Sequence, residues 1–188
     1  GSGFVSRQQG RIRRVTLDNV ADKRYAGWGC LLREHSVFGM DFNFDTVPNQ
    51  LDPFDYDAFQ ADPCQFVAVT IDAETAQPVY FTKDRIPRGD YRALRASSAL
   101  PVFSPPVEID GRMYYDGGTV DPIPVRYALE WGCDRVIVIL TQPEGYRKKP
   151  QKGRGIYRMV LRKYPKVGEA IGTRHEKYNG TLNYVRQL

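Results

Sequence analysis

The hydrophobic residues of this chain form short runs whose length and composition predict β-strands. Residues 66–71 (FVAVTI) are almost all apolar or β-branched, which predicts a strand covered on both faces, as is typical of parallel sheets. Residues 79–82 predict a second strand, and the turn-like stretch between the two allows a hairpin or a neighbouring pair. Residues 135–140 (RVIVIL) predict a further buried strand.

A second pair of strands is predicted around a glycine turn. Residues 107–109 and 112–115 flank Asp110-Gly111, a strong hairpin signal because both residues tolerate the positive φ angles of a type I′ turn. A helix over residues 125–132 then separates this hairpin from the strand at 135–140. Strand, helix and strand in this order predict a βαβ unit with a right-handed crossover.

Helical spacing and proline boundaries predict the remaining elements. Residues 91–99 form a predicted helix that ends in small side chains and stops at Pro101. Phe38, Met40, Phe42 and Phe44 alternate with smaller or polar residues, so this stretch is either a strand or a packed loop. Other helices are predicted at residues 4–24, from Asp52-Pro53 through Phe59, at 156–164 and from 166 towards 185. The chain is therefore expected to be an α/β protein, with a layered, largely parallel sheet covered by helices.

Composition narrows the class of protein. The chain has 188 residues, of which 41% are hydrophobic, so one domain with a sizeable core is expected. Cys30, Cys64 and Cys133 are far apart and form no Cys-x-x-Cys pair, which disfavours zinc and a disulfide framework. His35 and His175 lack metal-ligand spacing, so we expect no metal.

The positive charge of the chain is concentrated near its end. Residues 145–188 hold twelve Lys or Arg against two Glu and predict a basic helical tail. Such a tail could meet nucleic acid or an anionic membrane, although a solvated helix face is the commoner explanation. No nucleic-acid-binding motif accompanies the charge, so nucleic acid is not expected as a partner.

The usual catalytic motifs are missing from the sequence. There is no phosphate-binding loop or dinucleotide fingerprint, so no nucleotide cofactor is expected. A Gly-x-Ser-x-Gly elbow is absent, since Ser2 lies directly between Gly1 and Gly3. What remains is Asp116-Gly117-Gly118, where two glycines would allow unusual backbone angles and leave a carboxylate at the end of a strand. A simple turn cap is the commoner explanation of an isolated Asp-Gly-Gly, so the motif alone does not decide.

The order of motifs around Asp116 resembles the C-terminal half of a patatin-like phospholipase domain, especially in bacterial members. The matching features are the small residues 96–99 with Pro101, the glycine-turn hairpin, Asp116-Gly117-Gly118, a proline-bearing loop, and a helix end spaced as Ala128, Gly132 and Asp134. The likeness extends more loosely through HSVFGMDFNFDTVP, TIDAETAQPVYF and RHEKYNGTL.

This resemblance implies an α/β-hydrolase-related fold and a lipid acyl hydrolase that uses a Ser-Asp dyad. Asp116 matches the catalytic aspartate of the family and would act as general base, without a cofactor. The family's serine elbow and glycine-rich oxyanion loop are not found here. Residues 1–188 are thus expected to be a single patatin-like domain lacking its N-terminal part, inactive alone. The implied substrate is a lipid or acyl ester, and the implied location is cytoplasmic, with possible peripheral contact to an anionic membrane.

An alternative from another class stays open at this point. The chain would then be a non-catalytic α/β module that binds an anionic membrane or protein surface through its basic tail. Asp116 would be only a turn residue in that case.

Overall fold

The computed structural model describes residues 2–188; Gly1, the first residue of the predicted single domain, and the side chain of Arg154 lie outside the described residues. The strands are β1 (Val67–Asp72), β2 (Pro78–Thr82), β3 (Val107–Ile109) and β4 (Arg112–Asp116). The α-helices are α1 (Ser2–Val5), α2 (Arg11–Leu17), α3 (Trp28–Glu34), α4 (Tyr56–Ala61), α5 (Arg92–Ala96), α6 (Val125–Glu130), α7 (Arg154–Val160) and α8 (Pro165–Val185). A π-helix spans Phe42–Leu51, and short 3₁₀ turns span Lys83–Arg85 and Gly117–Thr119.

The four strands form one sheet in the order β2-β1-β4-β3, with β1 and β4 at the centre. Every pair of neighbouring strands is antiparallel. The mixture of helices and one sheet confirms the α/β class. Because all three strand pairs are antiparallel, the expectation of a largely parallel sheet is wrong. β1 is buried on both faces, as its apolar run predicts, because Ile71 belongs to one hydrophobic cluster and Ala68 to another. Strand direction does not follow from that burial.

The predicted Asp110-Gly111 hairpin is present, and the first strand pair, for which the sequence allows a hairpin or a neighbouring pair, is also a hairpin. β1 pairs with β2, and Val67 lies opposite Thr82. β3 pairs with β4 around Asp110 and Gly111, whose φ angles of 51° and 76° are those of a type I′ turn. Local turn chemistry thus predicts the β3–β4 hairpin, whereas the β1–β2 pairing is decided by the structure.

The buried strand predicted at residues 135–140 is wrong. Ile137 is 90% exposed and Ile139 is 88% exposed, and the segment has no strand geometry. Within residues 2–188, no strand pairs with this segment, so the predicted βαβ unit is not formed. An apolar run becomes a strand only when another strand satisfies its backbone N–H and C=O groups. Here the antiparallel hairpins supply the four strands of the sheet without it.

Two predictions near the middle of the chain also need correction, one of a strand or packed loop and one of a helix start. The alternating stretch at residues 38–44 leads into the π-helix, in which the N–H of Asp52 donates to the carbonyl of Val47 at 2.9 Å. Neither the strand nor the packed loop anticipated this widened turn. Asp52 does not cap the next helix either: α4 begins later, where the Asp55 side chain accepts from Ala58 N at 2.8 Å.

The helices at the ends of the chain differ in how closely they follow the predictions. In place of one helix over residues 4–24, the chain has two short helices, α1 and α2, of which α1 begins at Ser2. α7 and α8 lie where two helices are predicted, and α8 starts with Pro165 at its first position. Val167 and Ile171 of α8 join Tyr115 of β4 in a hydrophobic cluster. That packing brings the last helix against the strand that carries Asp116.

Burial predicts opposite outcomes for two isoleucines. Ile71 is fully buried in β1, so Ile71→Ala is expected to lower the free energy of unfolding by about 2–5 kcal/mol. Ile137→Ala, at the exposed segment, should change it by less than about 0.5 kcal/mol. Urea unfolding followed by circular dichroism measures both. A large loss for Ile137→Ala would restore the predicted buried strand.

Candidate active site

Asp116 occupies the last position of a central strand. It lies opposite Thr70 of β1, which is fully buried, and its own N–H donates to the carbonyl of Ala99 at 2.9 Å. The backbone of Asp116 is therefore fixed between the sheet and the turn that follows α5. This double attachment places the carboxylate where the sheet meets the surrounding helices.

The Asp116 carboxylate caps the 3₁₀ turn that follows it. Its Oδ1 atom accepts a hydrogen bond from Gly118 N at 2.7 Å. The turn-cap interpretation of the motif is correct in this respect. Capping uses one oxygen of the carboxylate, however, and the residue also borders a cleft.

The two glycines are needed because of close contacts, and the expectation of unusual backbone angles is wrong. Neither Gly117 nor Gly118 has a positive φ angle. A Cβ atom on Gly117 would lie 2.5 Å from the carbonyl carbon of Val69 and 2.6 Å from the nitrogen of Thr70. A Cβ atom on Gly118 would lie 3.1 Å from Oδ1 of Asp116. The motif thus lets one backbone pass directly over another.

Arg174 of α8 holds the other side of the motif. Its Nε atom donates to the carbonyl of Gly118 at 2.7 Å. The residue lies 56 positions after Gly118, and no local pattern connects the two. Sequence reasoning missed this partner, although the stretch RHEKYNGTL that contains it is part of the resemblance.

The environment of Asp116 disfavours its charge. Burial raises the pKa of the Asp116 carboxyl above its ordinary value, and the hydrogen bond from Gly118 N and the positive charge of Arg174 counteract part of this increase. A desolvated carboxylate with an elevated pKa is a stronger proton acceptor than an exposed one. The arrangement is suited to general-base chemistry.

Asp116 lies on the wall of a mainly apolar cleft with a volume of about 550 Å³. α2 and the π-helix each supply four of its other lining residues, and α5 supplies Leu94. The apolar and aromatic lining residues are Ile12, Val15, Tyr25, Phe38, Met40, Phe44, Val47, Pro48, Phe54, Tyr91, Leu94 and Leu100. A cleft with this lining favours a hydrocarbon chain over a polar ligand.

Ser2, Ser97 and Ser98 also border the cleft. Among the hydrogen bonds of residues 2–188, none joins a serine hydroxyl to the Asp116 carboxylate. Within the same residues, no group of His, Cys, Asp or Glu side chains is close enough together to hold a metal ion. The described part of the chain also has no helix that is both long and apolar enough to cross a membrane.

A mixed helix and sheet domain with a half-buried aspartate beside an apolar cleft is the class of protein that the fold and site define. Residues 6–129 match the family model for Patatin-like phospholipase. This is more than half of the chain, which therefore belongs to the patatin-like phospholipase family. The match includes β4 and Asp116-Gly117-Gly118, so the resemblance inferred from the sequence is confirmed.

Known relatives extend well beyond this chain. The Uncharacterized protein YjjU of Escherichia coli (strain K12) is 27% identical over 155 residues, which are 80% of this chain and 42% of YjjU. Uncharacterized NTE family proteins of Mycobacterium bovis and Mycobacterium tuberculosis are each 35% identical over 77 residues, which are 41% of this chain and 20% of the relative. The chain thus spans less than half the length of these relatives.

The backbone contact at Gly117 leads to a stability prediction. Gly117→Ala would place a methyl group inside the backbone of β1, and we expect it to lower the free energy of unfolding by about 1–3 kcal/mol or more. Gly29→Ala is the matched control, because Gly29 lies in α3, where an added Cβ atom would have no other atom within 4 Å, and should gain rather than lose stability. Urea unfolding compares the two variants. Equal stability of the variants would show that the contact tolerates a side chain.

The raised pKa of Asp116 leads to a prediction about pH. Because the folded-state pKa lies above the unfolded one, the unfolding free energy falls as pH rises through these values. Asp116→Asn removes this penalty while its side-chain oxygen still accepts from Gly118 N. The variant should melt at a higher temperature than the parent at neutral pH. The difference should vanish well below the ordinary aspartate pKa of about 4.

Thermal melts at both pH values, with Asp110→Asn as an exposed control, measure this effect. A destabilised Asp116→Asn variant at neutral pH would contradict it.

Proposed function

We propose that this chain supplies the general base of a lipid acyl hydrolase that uses a Ser-Asp dyad. Asp116 is the base, and the nucleophilic serine lies upstream of Gly1 in the complete protein. The observation that carries the proposal is a desolvated carboxylate on the wall of an apolar cleft. Membership of the patatin-like phospholipase family supports a hydrolase that acts on lipids.

The proton transfer requires few groups. A serine hydroxyl attacks an ester carbonyl efficiently only when a base takes its proton during the attack. The free oxygen of the Asp116 carboxylate would receive that proton, while Oδ1 stays bound to Gly118 N. The same aspartic acid would then return the proton to the departing alcohol. Arg174 acts as a positioning residue, since its bond to the Gly118 carbonyl fixes the turn that holds the carboxylate.

The cleft would bind the acyl chain of the substrate. Each buried methylene group contributes about 0.8 kcal/mol to transfer from water. The apolar walls formed by α2 and the π-helix would therefore direct a fatty acyl chain to the cleft, with its ester group near Asp116. Met40, Phe44 and Leu94 are among the side chains that the chain would contact.

The serine is placed upstream for two reasons. The sequence contains no Gly-x-Ser-x-Gly elbow, and no serine of the described residues donates to Asp116. The relatives are more than twice as long as the segment that matches, which leaves room for the nucleophile and the oxyanion-binding loop. We accordingly infer that residues 1–188 form part of a patatin-like domain and do not hydrolyse esters alone.

Activity of the complete protein tests the role of Asp116. Asp116→Ala is expected to lower kcat for p-nitrophenyl acyl esters by about 10²–10⁴-fold, because the serine loses its base. Asp110→Asn, six positions earlier in the same hairpin, is the matched control and should retain activity. The parent kcat should rise with pH through the elevated pKa of Asp116 and then level off.

Covalent labelling tests the missing nucleophile separately. A fluorophosphonate probe should label the complete protein and leave residues 1–188 unlabelled. Stoichiometric labelling of Ser2, Ser97 or Ser98 in the shorter chain would contradict an upstream serine. A complete protein that binds anionic liposomes, but neither hydrolyses esters nor reacts with the probe, would instead favour the non-catalytic module.

A further inference from the structure

A second pocket is lined largely by cations, and one of them, Arg174, also contacts the Asp116 loop. It has a volume of about 420 Å³. We call it the basic pocket, because four of its lining residues are basic. These are Arg147, Lys148, Lys149 and Arg174, and Tyr146 and Gln151 complete the lining. Of these residues only Arg174 has a part in the proton transfer proposed for Asp116, where it is a positioning residue.

Hydrogen bonds fasten the irregular segment that carries these lysines onto α8. Asn179 bonds the backbone of Lys148 twice: its Oδ1 accepts from Lys148 N at 2.9 Å, and its Nδ2 donates to Lys148 O at 3.0 Å. Arg147 donates to the carbonyl of Asn179 at 3.1 Å and to Oδ1 of Asn183 at 2.6 Å. The backbone positions of the basic pocket are thus set before any ligand arrives.

Aromatic contacts place one of the lysine side chains as well. The ammonium group of Lys148 lies 5.3 Å from the centre of the Tyr178 ring. Tyr178 packs edge to face on Tyr146, with ring centres 6.0 Å apart. Lys148 is therefore held in a partly buried position at the pocket wall.

The cations of the basic pocket form no ion pair in the described part of the chain, although the charge of Arg174 acts on the nearby carboxyl of Asp116. Nine other arginines in residues 2–188 form ion pairs with aspartate, as Arg112 does with Asp72 at 3.1 Å. No ion pair among the same residues involves Arg147, Lys148, Lys149 or Arg174. Burial lowers the pKa of Lys148, and the positive charge of Arg174 lowers it further. An anion between these groups would relieve their mutual repulsion.

We propose that the basic pocket binds a phosphate group, either as free phosphate or in the headgroup of a phospholipid. A tetrahedral phosphate offers several oxygens, which suit a pocket lined by two arginines and two lysines. Nε of Arg174 is occupied by Gly118, while its terminal nitrogens stay available to the pocket. One arginine would thus contact the bound phosphate and the Asp116 loop together. The proposal does not depend on ester hydrolysis, because binding requires no serine.

Binding is tested with the chain of residues 1–188 and two kinds of probe. Isothermal titration calorimetry with inorganic phosphate measures the free anion. Cosedimentation with phosphatidylcholine vesicles that contain phosphatidic acid measures the headgroup. Control vesicles contain oleate in place of phosphatidic acid, at the same total negative charge. They separate recognition of phosphate from attraction to any negative surface.

The test variant is the double substitution Lys148→Gln with Lys149→Gln, which leaves the backbone bonds to Asn179 in place. Its matched control is Lys163→Gln with Lys166→Gln. Lys163 also lies over a tyrosine ring, at 5.4 Å from Tyr164, and neither control lysine lines the basic pocket. Both variants remove two positive charges, and thermal melts confirm that each is folded.

We expect the pocket variant to weaken phosphate or phosphatidic acid binding by about tenfold or more, and the control to change it by less than about twofold. Loss with inorganic phosphate identifies a site for the free anion, whereas loss with phosphatidic acid vesicles alone identifies a headgroup site. Equal effects of the two variants, equal affinity for oleate vesicles, or no binding of either phosphate probe would overturn the proposal. None of these outcomes alters the test of Asp116 as a base.

Discussion

The close passage of the Gly117 backbone over β1 is the contact on which the candidate site depends. With no side chain at this position, β4 ends directly against Val69 and Thr70 and turns at once into the 3₁₀ segment. The turn brings Gly118 N to the Asp116 carboxylate and presents the Gly118 carbonyl to Arg174. A larger residue at 117 would move all three groups together. The position of the Asp116 carboxylate is therefore determined by the packing of the backbone around Gly117.

The charge of the Asp116 carboxylate at the same place lowers the stability of the fold. Burial of the Asp116 charge is unfavourable, and one amide hydrogen bond with a neighbouring arginine only partly offsets it. Proteins retain such groups where chemistry needs a basic carboxylate, so functional sites commonly lower stability. The apolar cleft strengthens both effects, since the side chains that would hold a lipid chain also exclude water from the acid.

Sequence reasoning succeeded where the determinants are local. Residues close together in the sequence were enough to predict the Asp110-Gly111 hairpin and the amphipathic helix α8. The resemblance around Asp116 likewise rests on motifs near it in the chain. It failed where the answer depends on partners. The run at 135–140 has strand composition but no neighbouring strand among the described residues, and the direction of β1 is set by its connections. Arg174 could not be assigned to Gly118, because only the packing of α8 on the sheet brings them together.

The exposed run at residues 135–140 has a consequence for how the chain behaves in concentrated solution. Its apolar, β-branched side chains and open backbone form a template to which the same segment of another molecule can add as a strand. Arg135 at the start of the run and Pro143 beyond its end act as gatekeepers, since charge and a missing N–H both interrupt such stacking. The segment between these two residues is not covered by the sheet, and it is where we expect self-association to begin in concentrated solution.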